Sequence, residues 1–199
     1  MKNTNGESSK NNLSLKSFRF TLGDIPNILG LFYLFAIGVG MLFTYQKYSQ
    51  FGINIFDYAD VFDFLIAPFA DFTILAFTLG SLAIAYAIFI FDFWWSNSHS
   101  KSYSIVNFGI NKKSWYQLYR YFLFLGMLVL YLYISSGYYG KMSGKKVKAQ
   151  PKTSLRFSDN ETKHGVIIGK TKEIVFFIED DNVSAIPITA LVKEFEIKR

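Results

Sequence analysis

The chain has no cysteine, two histidines and four prolines, and only 18% of its 199 residues are charged. Without thiols there are no disulfides, iron–sulfur clusters or thiolate metal sites. His99 and His164 stand far apart in the sequence, which excludes a multi-histidine metal site within one chain. The chain also lacks a Gly-rich phosphate loop, an HExxH pair and a GxSxG elbow, so no enzyme activity and no cofactor are expected. A soluble domain of this length usually carries about 25% charged residues. The shortfall argues against an ordinary soluble enzyme, a disordered chain and a disulfide scaffold alike.

What is present is apolar surface, and the charges are spaced to leave it uninterrupted. The composition is 51% hydrophobic and 19% aromatic, with a mean hydropathy of +0.21. Residues 25–45, 72–91 and 121–140 contain no charged side chain. Each run matches the roughly 20 apolar residues that cross about 30 Å of hydrocarbon. The sequence therefore predicts an α-helical membrane protein with three transmembrane helices, over about 25–45, 72–91 and 121–139. The lipid bilayer is its first expected partner.

Residues 1–15 are polar and low in complexity, which predicts a disordered tail. No secretory signal is expected, because the first apolar run begins only at Ile25 and lacks a small-residue cleavage site. In residues 16–23, Lys16 and Arg19 mix with Phe18, Phe20 and Leu22, which suits an interfacial segment. Asp24 before Ile25 and Pro26 is a helix-start signal. Residues 53–71 alternate bulky hydrophobes with Asp57, Asp60, Asp63 and Asp71, and are read as an amphipathic interfacial helix ending near Pro68. With it, the transmembrane domain spans 16–140.

Residues 141–152 read as a basic linker. From 153 to 199, short apolar runs split by turn residues predict a small antiparallel β domain of three to five strands, the size of an open SH3-like barrel. Val166 and Ile168, then Ile174, Phe176 and Ile178, alternate with period two. Asp180-Asp181-Asn182 is a hairpin signal. Pro187 marks an edge or bulged strand, and Gly165 and Gly169 read as strand-end or bulge glycines. A domain of this size has a marginal core, so packing on the membrane part or oligomerisation is expected to support it.

Lysine and arginine counts predict an orientation. The N-terminal segment has four (Lys2, Lys10, Lys16, Arg19). The first connection has Lys47 against four aspartates, and the second has Lys101, Lys112, Lys113 and Arg120. These counts place the N-terminus in the cytoplasm and the first loop outside. Three crossings then put the C-terminal domain outside, although residues 141–152 carry five lysines; the alternative is a further crossing by residues 53–71, which their four aspartates make costly.

Three sets of residues are candidates for function. Asp57, Asp60 and Asp63 recur every third position and so would share one helical face, which could attract cations or simply face water. Ala36 and Gly40, with Gly80, Ala83 and Ala87, have the small-residue spacing that lets helix backbones approach closely, within the chain or between copies. Lys145, Lys146 and Lys148 would meet anionic lipid headgroups if cytoplasmic. Nucleic acid is not expected as a partner, because no aromatic residues interleave the basic ones. His164 reads as a surface residue at the start of a strand.

The string YSQFGINIFDYADVFDFLIAP (residues 48–68) resembles a loop between the first two helices of bacterial multi-pass membrane proteins. The tail IIGKTKEIVFFIEDDNVSAIPI is similar to the small β modules that close such proteins. The resemblance implies an inner-membrane setting and a shared architecture, with no activity and no functional residues to carry over. The expectation is a non-enzymatic membrane protein that assembles as a homo-oligomer. Its β domain would sense a ligand or protein partner, and its helices would act as anchor or as a pore-type effector of the kind used in stress or phage defence. The alternative is an accessory subunit that scaffolds a larger membrane complex.

Overall fold

The structure, a computed structural model, describes residues 25–157, 161–180 and 182–195. The sequence readings for the tail 1–15, the segment 16–23 and the Asp24 cap lie outside the described residues.

Three helices carry the charge-free runs: α1 (Ile25–Ser49), α3 (Phe72–Ser98) and α5 (Tyr116–Lys148). All three are long and apolar enough to cross a membrane. Only 28%, 17% and 6% of their most apolar stretches are buried inside the chain. The remainder faces outward, as expected where lipid or further helices supply the solvent.

Within the bundle, Val39 and Phe43 of α1 pack with Ile74 of α3 and with Leu132 and Tyr139 of α5. Ser81 and Ser135 join α3 to α5 with hydroxyls 3.1 Å apart.

The first connection holds less helix than expected. Gly52, with φ of +72°, turns the chain after α1, and a 3-10 turn at Ile55–Asp57 precedes the short helix α2 (Val61–Ala70). At 10 residues, α2 is about 15 Å long, half the hydrocarbon thickness. Pro68 lies inside α2 and does not end it. Its missing N–H leaves the Phe64 carbonyl without an i+4 donor, and that carbonyl lies over Gly40, where any Cβ would overlap it. Gly40 and Pro68 thus work together: the proline exposes a backbone oxygen, and the glycine lacks the side chain that would block it. The second connection contains a further short helix, α4 (Ser100–Val106), and a 3-10 turn at Ile110–Lys112.

The third helix is much longer than its apolar run. With 33 residues, α5 measures about 50 Å, well beyond a bilayer core. It absorbs Lys141 to Lys148, so most of the expected linker is helix. At the end of the apolar run Gly140 lies against the Gln46 backbone, and beyond it Gly144 lies against the Gln50 side chain. The ends of α1 and α5 therefore pair as a stalk.

On the stalk sits a five-stranded antiparallel sheet: β1 (Thr153–Phe157), β2 (Thr162–Lys170), β3 (Ile174–Glu179), β4 (Asn182–Pro187) and β5 (Leu191–Phe195), in spatial order β4-β3-β2-β1-β5. Glu179 pairs with Asn182, leaving a two-residue turn in which Asp180 has φ of +45°. Pro187 closes β4, an edge strand, and the β2–β3 register shifts between Ile167 and Gly169.

Candidate functional site

The sheet buries side chains on both faces, and one of those faces forms the main structural junction of the molecule. Leu155, Phe177 and Ile186 form the module's own core, with Ile167 packed against them. The opposite stripe, the period-two set Val166, Ile168 and Phe176, joins a second cluster with Tyr48 of α1, Ile53 and Ile55 of the loop, Phe64 of α2 and Val147 of α5. The alternation that predicts a strand face is therefore the face that docks the module onto the helices.

Tyr48 is 4% exposed and meets the Phe176 ring edge-on, centroids 5.0 Å apart. Its hydroxyl occupies the place where a Cβ of Gly169 would be. Gly169 at the bulge thus allows the aromatic ring to reach the strand.

The aspartates do not form the single helical face that their spacing suggests. Asp57 belongs to the 3-10 turn and accepts from Asn54 Nδ2 at 3.0 Å. Asp60 is the N-cap of α2, accepting from the N–H of Phe62 and of Asp63, and Asp63 returns the bond to the Asp60 N–H. This reciprocal box satisfies orphan donors at the helix start. The other oxygen of Asp63 accepts from the Lys172 N–H at 3.1 Å, which ties α2 to the β2–β3 turn. Among the described residues, no three His, Asp or Glu side chains gather as a metal site.

The small-residue set divides in two. Ala36 is buried and Gly40 receives α2. Gly80, Ala83 and Ala87 are exposed, so the reading that they pack helices together inside the chain is corrected. Gly140 and Gly144 of α5 approach the end of α1 at Gln46 and Gln50, and Ser136, one turn earlier, is fully buried. Their four-residue spacing was a signal in the sequence, hidden by ending the third helix at its apolar limit. Lys145, Lys146 and Lys148 lie in the last turn of α5, where cations suit the free carbonyls of the helix end. His164 is exposed, its Nδ1 2.9 Å from Ser154 Oγ.

Two polar clusters lie at opposite ends of the bundle. At the stalk end, Asp71 caps α3 by accepting from the Thr73 N–H at 2.8 Å and also accepts from Tyr139 Oη at 2.7 Å. Burial pushes its carboxyl up, but the bonds from Tyr139 and Thr73, with the charge of Lys47, more than offset this and hold it below the ordinary value. Such a group contributes stability that is complete above its unfolded pKa and is lost as pH falls through the folded one. Acidification from about pH 5 to about pH 3 is expected to lower the thermal midpoint more in the wild type than in Asp71→Asn. Parallel pH profiles would remove Asp71 as a source of acid sensitivity.

At the far end, Arg120 of α5 pairs with Asp92 of α3 and lies over the rings of Phe89 and Phe93 at 5.7 and 5.8 Å. Tyr103 of α4 donates to Asp92 at 3.0 Å, and its hydroxyl is 2.7 Å from that of Tyr116. Burial first, then the Tyr116 and Asp92 contacts, raise the Tyr103 phenol far above its usual range and keep it neutral. Sequence spacing held no sign of this network, in which Arg120, one of the four cations counted in the second connection, is paired with Asp92.

Comparison of the chain with protein-family models, with curated proteins and with solved structures gives no match. The functional reading accordingly stands on the geometry.

Proposed function

We propose that the protein is a non-enzymatic recognition protein of the bacterial inner membrane, in which the β module takes a protein partner and the helices hold that module rigidly at the membrane. One observation carries the reading: a single buried cluster runs from Val166, Ile168 and Phe176 through Tyr48 and Val147 into the ends of two spanning helices. A module tethered only for retention would need no such seam, whereas one whose occupancy must be felt by the helices would. Assembly with further helices is the second part of the proposal. It is supported by the outward Gly80, Ala83 and Ala87 and by the small share of each span buried within the chain.

The test uses the cysteine-free background. A single Ser184→Cys carrying a photo-crosslinker, in intact cells, is expected to join the full-length protein to a second polypeptide of distinct mass. Crosslinks only to lipid would overturn the recognition role. The same thiol is expected to react with an impermeant maleimide before lysis, with the module external; protection until lysis would reverse the orientation.

A further inference from the structure

Beside the junction lies an open groove of about 320 Å³ between the first loop and the outer strands of the module. Its lining includes Asn54, Asp57 and Tyr58 from the loop, Phe176 from β3, and Val183 and Ala185 from β4. The size is at the lower end of ligand pockets, suited to one side chain or a short peptide segment. Among the described residues Asp57 supplies the only charged group of the lining. One of its oxygens is held by Asn54, and the other has no protein partner among the described residues. Tyr58, 40% exposed, stands edge-on to Phe176 with centroids 5.4 Å apart and offers an aromatic wall. A carboxylate next to an aromatic ring recognises an ammonium or guanidinium group.

The second observation is independent of the first. Among the described residues β4 is an edge of the sheet with no strand on its outer side, and its segment NVSAIP carries no charge that would repel an added strand. The pairs Glu179 with Asn182 and Phe177 with Ser184 define its register. With Glu179 and Asn182 closing a two-residue turn, antiparallel alternation directs the N–H and C=O of Val183 and Ala185 away from β3. The residues with outward backbone groups are the same two that line the groove.

We infer that this is a docking site for an extended segment of a protein partner, which adds as a strand to β4 and lays one arginine or lysine side chain against Asp57 and Tyr58. Main-chain bonds along β4 supply affinity, and the acidic groove supplies selectivity. The inference rests on the recognition role proposed above and names the chemistry of what is recognised.

The probe is an acetylated and amidated pentapeptide, Thr-Val-Arg-Val-Thr, titrated into the full-length protein in detergent micelles. Its control replaces the arginine with citrulline, which has the same shape and no charge. Saturable binding is expected, weaker by about ten-fold for the citrulline peptide and for Asp57→Asn. Slowed hydrogen exchange at the Val183 and Ala185 amides is expected to accompany it. Val183→Pro removes an outward donor at an edge position that tolerates proline and is expected to weaken binding while the melting temperature holds. Equal binding of the two peptides, indifference to Asp57→Asn, or no saturable binding would overturn the site. A crosslinked partner that remains on Asp57→Asn in cells would overturn the groove and leave the recognition role standing. Loss of both peptide and partner in the wild type would overturn the two together.

Discussion

Gly40→Leu is expected to separate α2 from α1 and to cost roughly 3 kcal/mol or more, the upper range for forcing bulk into a packed site. The reason is specific to the backbone at this point. Pro68 leaves the Phe64 carbonyl unbonded along its own helix, and that oxygen lies where the first side-chain atom of residue 40 would be. No rotamer of a larger residue avoids the overlap, because the conflict begins at Cβ. Gly38, two positions away on the same helix, is open: a Cβ there would meet nothing within 4 Å. Gly38→Ala is therefore expected to stay within about 1 kcal/mol of the wild type, the scale of intrinsic helix propensity. Thermal unfolding of the two variants in one detergent checks the contrast. Equal midpoints would mean that α2 does not rest on Gly40 in the folded protein.

The second large effect is expected at Tyr48. Truncation to alanine removes a ring that is 4% exposed and central to the cluster shared by α1, α2, α5 and the sheet. Large aromatic truncations in cores cost about 3–5 kcal/mol. Here the loss falls on the seam between two parts, so the β module should loosen before the helices melt. Trypsin is expected to cut the Tyr48→Ala protein rapidly at Lys148 and Lys152, which flank the short joint between α5 and β1, and to release the module. Tyr48→Phe keeps the ring against Phe176 and should resist cleavage nearly as the wild type does. Cleavage of Tyr48→Ala at the wild-type rate would show that the seam does not hold the module in place.

How far the sequence foretold this arrangement depends on the range of each interaction. The three long apolar helices were legible because an unbroken absence of charge over some twenty residues is a local property of the sequence. The hairpin at Asp180, the edge position of Pro187 and the bulge at Gly169 were legible for the same reason, since turn and strand chemistry act within a few residues. The Asp60 and Asp63 box was also a local signal, an acid at N-cap with another at N3 before an apolar run. Reading three aspartates as one face obscured it. Hydropathy stopped the third helix at its greasy section, although Ser136, Gly140 and Gly144 continued the helical spacing into the polar part.

Other features depend on residues remote in sequence. Lys172 meets Asp63 across 109 positions, and Tyr139 meets Asp71 across 68. No spacing rule links such residues. The period-two stripe of the tail revealed which side chains share a face, but it held no information on what that face would meet.

The uninterrupted course of α5 has a mechanical consequence. One proline-free rod holds Arg120 near its first turns and Val147 in its last. Torque applied at the sheet would run along that rod to the far end of the bundle, there to be resisted by the Asp92 pairing. A twist at one end of α5 would thus have a continuous path to the other.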